Sequence, residues 1–477
     1  MLICLYSLTA DATLATLHDN KIKTDIGVLK NALAQSGCKS KLAVIVLVDN
    51  NHGVQERLEN IRRGSGLDAK SFFAVPTDAS PDELGRIMDN ALTTLYAQSI
   101  EYYRDHGRRV KKKRGRGAAP QPTVPPVSGT SQTLSLPGWH VRYDFKSAIF
   151  AEYRHEMDVA LRSFEQAYEN LLSSEVMEII PSWSPRWNQA RFLADVIAVR
   201  CIRCLMWNDQ HTAAVRRWES HRGRIADFVD RQGHGTNNYG WEAWEARWAV
   251  VMANLIEKAD IPDFDHSAVS IYLPPEKSAQ AERIQPWELL HHPGYWYRLA
   301  ARHTFARRKL AFKMPEDDRR SPSESPASKL ASKAFRYDSY MCPEPYDELP
   351  LARSGINHSQ IILDYLLSAQ SYFMKKQQQR LAAEVSLECA KELAAVKDWS
   401  NVVKILRPFW DELSFRRDGW PEITEDMCWV LRAAAVDTAQ ADLVVSIDWE
   451  LLNNSKIPCT ASKDRFINTG PRVQEAS

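Results

Sequence analysis

Residues 140–172 read HVRYDFKSAIFAEYRHEMDVALRSFEQAYENLL, and apolar side chains return along them at every third or fourth position. Ile149, Tyr153, Met157, Ala160, Leu161, Phe164, Tyr168 and Leu171 share one face of a helix and no face of a strand. The segment therefore predicts one long amphipathic helix or a helix pair. Ala160, Phe164 and Ala167 have the spacing of the second helix of a tetratricopeptide-type unit, in which small residues admit a neighbouring helix and the Phe fills the groove. Such a helix cannot bury its stripe alone, so it implies stacked repeats and a scaffold in place of a catalyst.

Tryptophan marks the main boundary. All fifteen Trp residues lie at or after Trp139. Just upstream stand RRVKKKRGRG (Arg108–Gly117) and a run rich in Pro, Ser and Gly, too poor in apolar side chains to offset its ordering entropy. A flexible basic, Pro-rich linker is expected over 107–138, between a small α/β domain at 1–106 and a helical-repeat solenoid at 139–445. The overall composition is that of an ordinary globular chain, 44% hydrophobic and 25% charged over 477 residues. The net charge of +1 gives no general pull toward nucleic acid or membrane, so an electrostatic partner requires a local patch. Eight scattered cysteines suit a reducing compartment. The apolar start lacks the cationic flank and length of a secretory signal, and Leu42–Val48 is far shorter than the ~20 residues of a spanning helix. A cytoplasmic protein, at most peripheral on a membrane, is expected.

Before the linker, apolar runs of buried-strand type (Leu2–Leu8, Leu42–Val48, Phe72–Val75) alternate with helical stripes. Ile26, Leu29 and Leu33 form one stripe; Val54, Leu58 and Ile61 form another. Ser80, Pro81 and Glu83 compose a capping box before Leu84, Ile87, Ala91 and Leu95. This alternation predicts a parallel sheet with crossover helices. A sheet of three strands is small, so a further strand outside this chain is expected. Its carboxyl ends carry Asp49, His52 and Asp78, the positions where a hydrolytic or metal site would stand. No glycine-rich turn joins strand to helix, and ordinary polar loop residues are the simpler reading. No cofactor or metal site is expected.

After the linker, helices are expected at Trp187–Trp207, His211–Val229, Trp241–Ile256, Tyr295–Phe312, Ile361–Met374, Gln377–Val396, Asn401–Leu413 and Ile423–Ala439. Lys397–Trp399 reads as a tight turn between paired helices, and such pairs stack into an α-solenoid. Residues 314–354, with SPSESP and PEPYDELP, read as a disordered insertion. Ser446–Ser477 reads as an irregular tail. Cys201 and Cys204 lack a second pair at metal spacing and read as core thiols. Trp241, Trp244 and Trp248 read as core wedges, and His291–His292 as a loop breaker before a helix.

Arg108, Arg109, Lys111, Lys112, Lys113, Arg114 and Arg116 place seven cations in nine residues. A solvated helix end and linker, a nuclear-import-like patch and a contact for anionic lipid or an acidic partner all fit, the first most simply. No aromatic residues interleave with the cations, which argues against a single-stranded nucleic-acid groove.

Several segments in order carry a resemblance. They are SFFAVP with Ile87–Lys111, the 140–172 helix, Trp218–Ala259, HHPGYWYRLAARHTFARRKLA (His291–Ala311), and NHSQIILDYLLSAQSYFMKK with KDWSNVVKILRPFWDELSFRRDGW. Together they resemble the Foie gras family, the subunit 11 proteins of the TRAPP tethering complex. The resemblance implies an α/β N-terminal unit followed by a mainly α, TPR-like α-solenoid. It implies a non-catalytic scaffold in ER-to-Golgi transport and autophagy, peripheral on Golgi and ER–Golgi intermediate membranes. Its partners would be other TRAPP subunits and, indirectly, a Rab-type GTPase. The family continues into a β-rich C-terminal region that this sequence lacks, which points to a partial chain. A generic helical-repeat adaptor is the alternative, and an enzyme using the α/β loops a further one.

Overall fold

A computed structural model of the chain describes residues 2–9, 11, 13–36, 41–49, 54–117, 134–181, 184–231, 235–259, 292–324, 337, 340–341, 343–349, 355–412 and 421–454. The chain divides into two compact units, Met1–Ile179 and Ile180–Ser477.

In the first unit the apolar runs form one parallel sheet, β1 (Leu2–Ser7), β2 (Leu42–Val48) and β3 (Phe72–Pro76), ordered β1-β2-β3. Leu2 pairs with Leu42, and Val44 with Phe72. Two helices, α1 (Ala15–Gln35) and α2 (Val54–Ser65), make the crossovers. They place Ile22, Ile26, Leu58 and Ile61 against alternate residues of β2, namely Leu42, Val44, Val46 and Val48. Arg57 fastens the layer: it donates to both Asp19 oxygens (2.8 and 3.0 Å) and to the Thr9 carbonyl at 3.1 Å.

The N-cap half of the expected capping box forms, with Ser80 Oγ accepting from the Glu83 N–H at 3.3 Å, and opens α3 (Pro81–Gly115). Here the structure corrects the expected linker. The 35 residues of α3 run straight through the basic segment, a length of about 52 Å. The second half has somewhere to pack, which the composition did not reveal. The ring of Tyr103 lies 4.9 Å from Tyr153 and 5.9 Å from Phe150, on a following antiparallel helix. That helix, α4 (Leu136–Glu152), pairs with α5 (Met157–Leu171), so residues 140–172 are a helix pair. Ala160, Phe164 and Ala167 are fully buried, as the repeat spacing required. Through α3 this pair joins the sheet, and the division falls at 179/180, not at 107–138. Residues 118–133 lie outside the described residues.

The second unit is a succession of helices: α6 (Pro185–Trp207), α7 (His211–Arg231), α8 (Tyr239–Ala259), α9 (Pro293–Ala311), α10 (His358–Lys375), α11 (Gln379–Ala395), α12 (Trp399–Glu412), α13 (Pro421–Asp437) and α14 (Ala441–Asn454). From α8 onward each packs on the next, α11 also touches α13, and a continuous apolar core joins α10 to α14. This is an α-solenoid. Two expectations need correction. Residues 446–454, the start of the expected tail, are helical, because Leu443 and Ile447 are buried against the stack; the rest of the tail lies outside the described residues. The described part of 314–354 is packed, not disordered. It contains 3-10 turns at Glu316–Arg319 and Pro322–Glu324, a one-turn helix at Pro345–Glu348, and buried Asp318, Met341 and Glu348.

Five helix–helix turns share one geometry. His155, Asp209, Gln377, Lys397 and Ala439 all have φ between 55° and 62°. In each, the next residue's N–H bonds to the carbonyl five positions back: Glu156 to Ala151, Gln210 to Leu205, Gln378 to Phe373, Asp398 to Leu393, and Gln440 to Ala435, at 2.8–3.1 Å. This is the Schellman arrangement, which favours glycine at the left-handed position. None of the five is glycine, so each turn carries backbone strain of about 1 kcal/mol. We expect Lys397→Gly and Gln377→Gly each to stabilise the helical unit by about 1 kcal/mol and Lys397→Val to destabilise it by a similar amount. Urea unfolding followed by far-UV circular dichroism would check both signs.

Candidate functional site

The loops beyond the strands do not assemble a reactive cluster among the described residues. Thr77 Oγ1 donates to Asp49 Oδ1 at 2.6 Å, and the Thr77 N–H bonds to the Val48 carbonyl at 2.9 Å. The Asp49 carboxylate thus ties the end of β2 to the end of β3. Asp78 is exposed, and His52 lies outside the described residues. Among the described residues, no group of three or more His, Cys, Asp or Glu can hold a metal ion. Cys201 and Cys204 are buried thiols in α6, outside any disulfide. Trp241, Trp244 and Trp248 are buried, with Trp248 stacked 4.6 Å from Trp218 of α7, so they wedge α7 to α8.

The polar side chains that do converge lie on α9. Its first turn is set by His292, whose Nδ1 accepts from the Gly294 N–H at 3.0 Å. The ring of His292 stacks 5.0 Å from Phe373 of α10. A Cβ on Gly294 would stand 3.0 Å from the His292 ring and 3.1 Å from Phe373, which is why glycine follows the proline here. Burial holds the His292 imidazole down to about 4. Its Nδ1 is therefore a neutral acceptor at physiological pH, as a helix N-cap requires.

Farther along, the polar side chains of α9 reach in three directions. His303 Nδ1 meets Glu242 of α8 at 2.7 Å, and Glu245, which also binds Arg222 of α7, stands 3.4 Å from His303 Nε2. Arg298, almost fully buried, bonds Glu384 at 2.5 Å and Glu388 at 2.6 Å on α11; Arg308 pairs with Glu392 one turn beyond. Arg307 holds Glu348 of the insertion with a two-pronged contact (2.5 and 2.6 Å), and His358 Nε2 stands 2.8 Å from the same carboxylate. Burial works to raise the Glu348 carboxyl, but hydrogen bonds from His358 and Arg307 outweigh it and leave it below the ordinary range. A second anchor holds the insertion at Tyr340, whose hydroxyl donates to Asp195; the same carboxylate meets His221 Nε2 at 2.8 Å and accepts from Trp244 Nε1 at 3.3 Å.

None of these roles was assigned from sequence. The signal existed: Glu384, Glu388 and Glu392 recur at four-residue spacing along one side of a helix whose other faces are largely apolar, and such an acidic stripe suits a cationic neighbour. The arrangement fixes helices rigidly and offers no reactive centre, which suits surface recognition.

The basic run is divided by the fold. Arg114 reaches across to α4 and pairs with buried Asp144 at 2.6 Å, while Arg108 stands 3.3 Å from Asp105 of its own helix. Arg109, Lys111, Lys112, Lys113 and Arg116 are exposed on the last turns of α3. Among the described residues, no helix is long and apolar enough to cross a membrane.

Residues 186–454, more than half of the chain, match the family described as Foie gras liver health family 1. The chain belongs to that family. The match takes in α6 to α14 and the whole ion-pair system of α9. In this Foie gras chain a separate match, to the trafficking protein particle complex subunit 11 N-terminal domain, covers residues 1–84 and hence the sheet. The chain is similar to trafficking protein particle complex subunit 11 of Homo sapiens, 20% identical over 470 residues, and to the Gallus gallus protein of the same description, 20% identical over 464. Each alignment covers 92% of this chain and 36% of the relative, so the chain spans about a third of the length of the curated relatives it matches. The basic end of α3 and all of α4 and α5 fall between the two matched stretches.

Two measurements test the α9 assignments. Arg298→Met removes the buried partner of Glu384 and Glu388, which are themselves about a third exposed, and is expected to cost about 1–2 kcal/mol, most of it recovered in Arg298→Met/Glu384→Gln/Glu388→Gln. Because the folded His292 is held below its unfolded value near 6.5, unfolded chains bind the extra proton, and stability should fall as pH drops from about 6.5 to about 4. His292→Ser keeps a capping oxygen without a titrating ring, so its denaturation midpoint should be flatter across that window.

Proposed function

We propose that this Foie gras chain is a non-catalytic scaffold subunit of a TRAPP-type vesicle-tethering complex. It would act in ER-to-Golgi transport and autophagy, from the cytoplasm and peripherally on Golgi and ER–Golgi intermediate membranes. Its direct partners would be other TRAPP subunits, and a Rab-type GTPase would be served indirectly, through exchange chemistry housed elsewhere in the complex. The observation that carries this reading is the alignment with subunit 11 relatives over 92% of the chain. The chemistry agrees with it. The conspicuous buried charges are spent on holding helices together, and a solenoid offers an extended face on which affinity comes from surface matching.

The test is mass spectrometry of proteins co-purifying with the chain, tagged at its own locus. TRAPP subunits in stoichiometric amounts are expected. Their absence, with other proteins recovered in their place, would replace this reading with that of a general helical-repeat adaptor.

A further inference from the structure

Chain-wide charge is nearly balanced, but one short region is not. Between Arg108 and Lys146 the sequence holds nine Lys or Arg residues and a single carboxylate, Asp144, against +1 for the whole chain. The fold uses that carboxylate internally, on Arg114. It also brings the basic end of α3 alongside α4, because the two helices run antiparallel: Tyr103 lies beside Phe150 and Tyr153, and Arg114 beside Asp144. Lys113, in the last turns of α3, therefore comes near Lys146 in the middle of α4, where Arg142 is also exposed, while Lys112 and Arg116 are exposed on other sides of the same end of α3. Burial of its stem, then the neighbouring charges of Arg142 and Lys113, hold the Lys146 ammonium below its usual value. Such crowding of like charges is a standing cost unless an anion relieves it.

The start of α4 overhangs the end of α3, since Leu136 lies eight positions before Asp144, about 12 Å along the helix. This overhang is apolar. Leu134 and Leu136 are 40% and 43% exposed, and the Trp139 ring sits 5.2 Å beneath the Arg142 guanidinium. Cations and exposed leucines therefore occupy the same end of one helical hairpin. An acidic peptide would use only the charges; a bilayer uses both, with headgroups meeting Lys and Arg and the interface taking the leucines and Trp.

We propose that the tip of the α3–α4 hairpin, formed by Lys112, Lys113, Arg116, Arg142 and Lys146 with Leu134 and Leu136, is a docking surface for anionic lipid bilayers. It deepens the membrane-peripheral part of the proposed function by naming the surface responsible. It differs from a contact made by a linear basic run because α4 supplies part of the charge and the apolar edge.

The test is vesicle flotation of the purified full chain, which needs no TRAPP subunit and so fails or succeeds separately from the co-purification above. Vesicles of phosphatidylcholine alone are compared with vesicles containing about one-third phosphatidylserine, at about 0.15 M and about 1 M salt. The chain should float with the anionic vesicles at the lower salt only. Each cation removed should weaken binding about fivefold. Lys112→Gln/Lys113→Gln/Arg116→Gln should therefore lose about a hundredfold and Arg142→Gln/Lys146→Gln about twenty-five-fold, with unchanged circular dichroism. Leu134→Ser/Leu136→Ser should weaken binding with the charges intact. No preference for anionic vesicles in the wild type would overturn the proposal, as would wild-type binding by the Arg142/Lys146 variant. Binding to a polyglutamate column without vesicle binding would assign the face to an acidic protein and also overturn it.

Discussion

The helical unit depends on how α9 disposes of its positive charge. A guanidinium taken out of water costs several kcal/mol unless a carboxylate meets it with good geometry. Arg298 is almost fully buried, so the packing of α9 on its neighbours is permitted only where Glu384 and Glu388 are presented. The same requirement, met by Glu348 for Arg307 and Glu392 for Arg308, ties α9 to the insertion and to α11, and a hydrogen bond between His303 and Glu242 ties it to α8. Hydrophobic stripes are tolerant of sliding, since any apolar neighbour removes water equally well. Paired buried charges are not, and they set the register in which α8, α9 and α11 stack.

Elsewhere the register comes from the turns. Five helix pairs close through a left-handed residue that is not glycine, each with the same five-back hydrogen bond. The bond satisfies carbonyls that a helix end would otherwise leave orphaned, and burial of the two helix faces outweighs the strain. With no glycine at any of the five, glycine and proline punctuation does not mark these turns, and where they are legible, as at Lys397–Trp399, it is from the flanking stripes.

The fold class was legible because helical and strand periods differ, and both stripes and alternation follow from burial of one face. The sheet, its parallel order and the helices after Trp187 all follow from that rule. At the α/β loops, the Asp49 carboxylate accepts from Thr77 and so joins the ends of two strands. What was misread was the segment where composition and context disagree. Arg108–Arg116 has the composition of a solvated linker, yet it continues a helix, because Tyr103 a turn earlier and Arg114 within it both find partners on α4. The described part of 314–354 is packed for the same reason: Glu348 and Tyr340 look like loop polarity until Arg307, His358 and Asp195 are brought to them.

By itself, then, the sequence determined which residues form strands and helices and which face of each is apolar, because these depend on neighbours a few positions away. It also determined the family, through ordered segments spread along the chain. Only the tertiary structure decided where the chain divides, which charges are spent inside the fold, and which are left on its surface. Those outcomes depend on pairs far apart in sequence, such as Arg298 with Glu384, Arg307 with Glu348 and Arg114 with Asp144. Local periodicity carries no information about them; the cost of leaving a buried charge unpaired does.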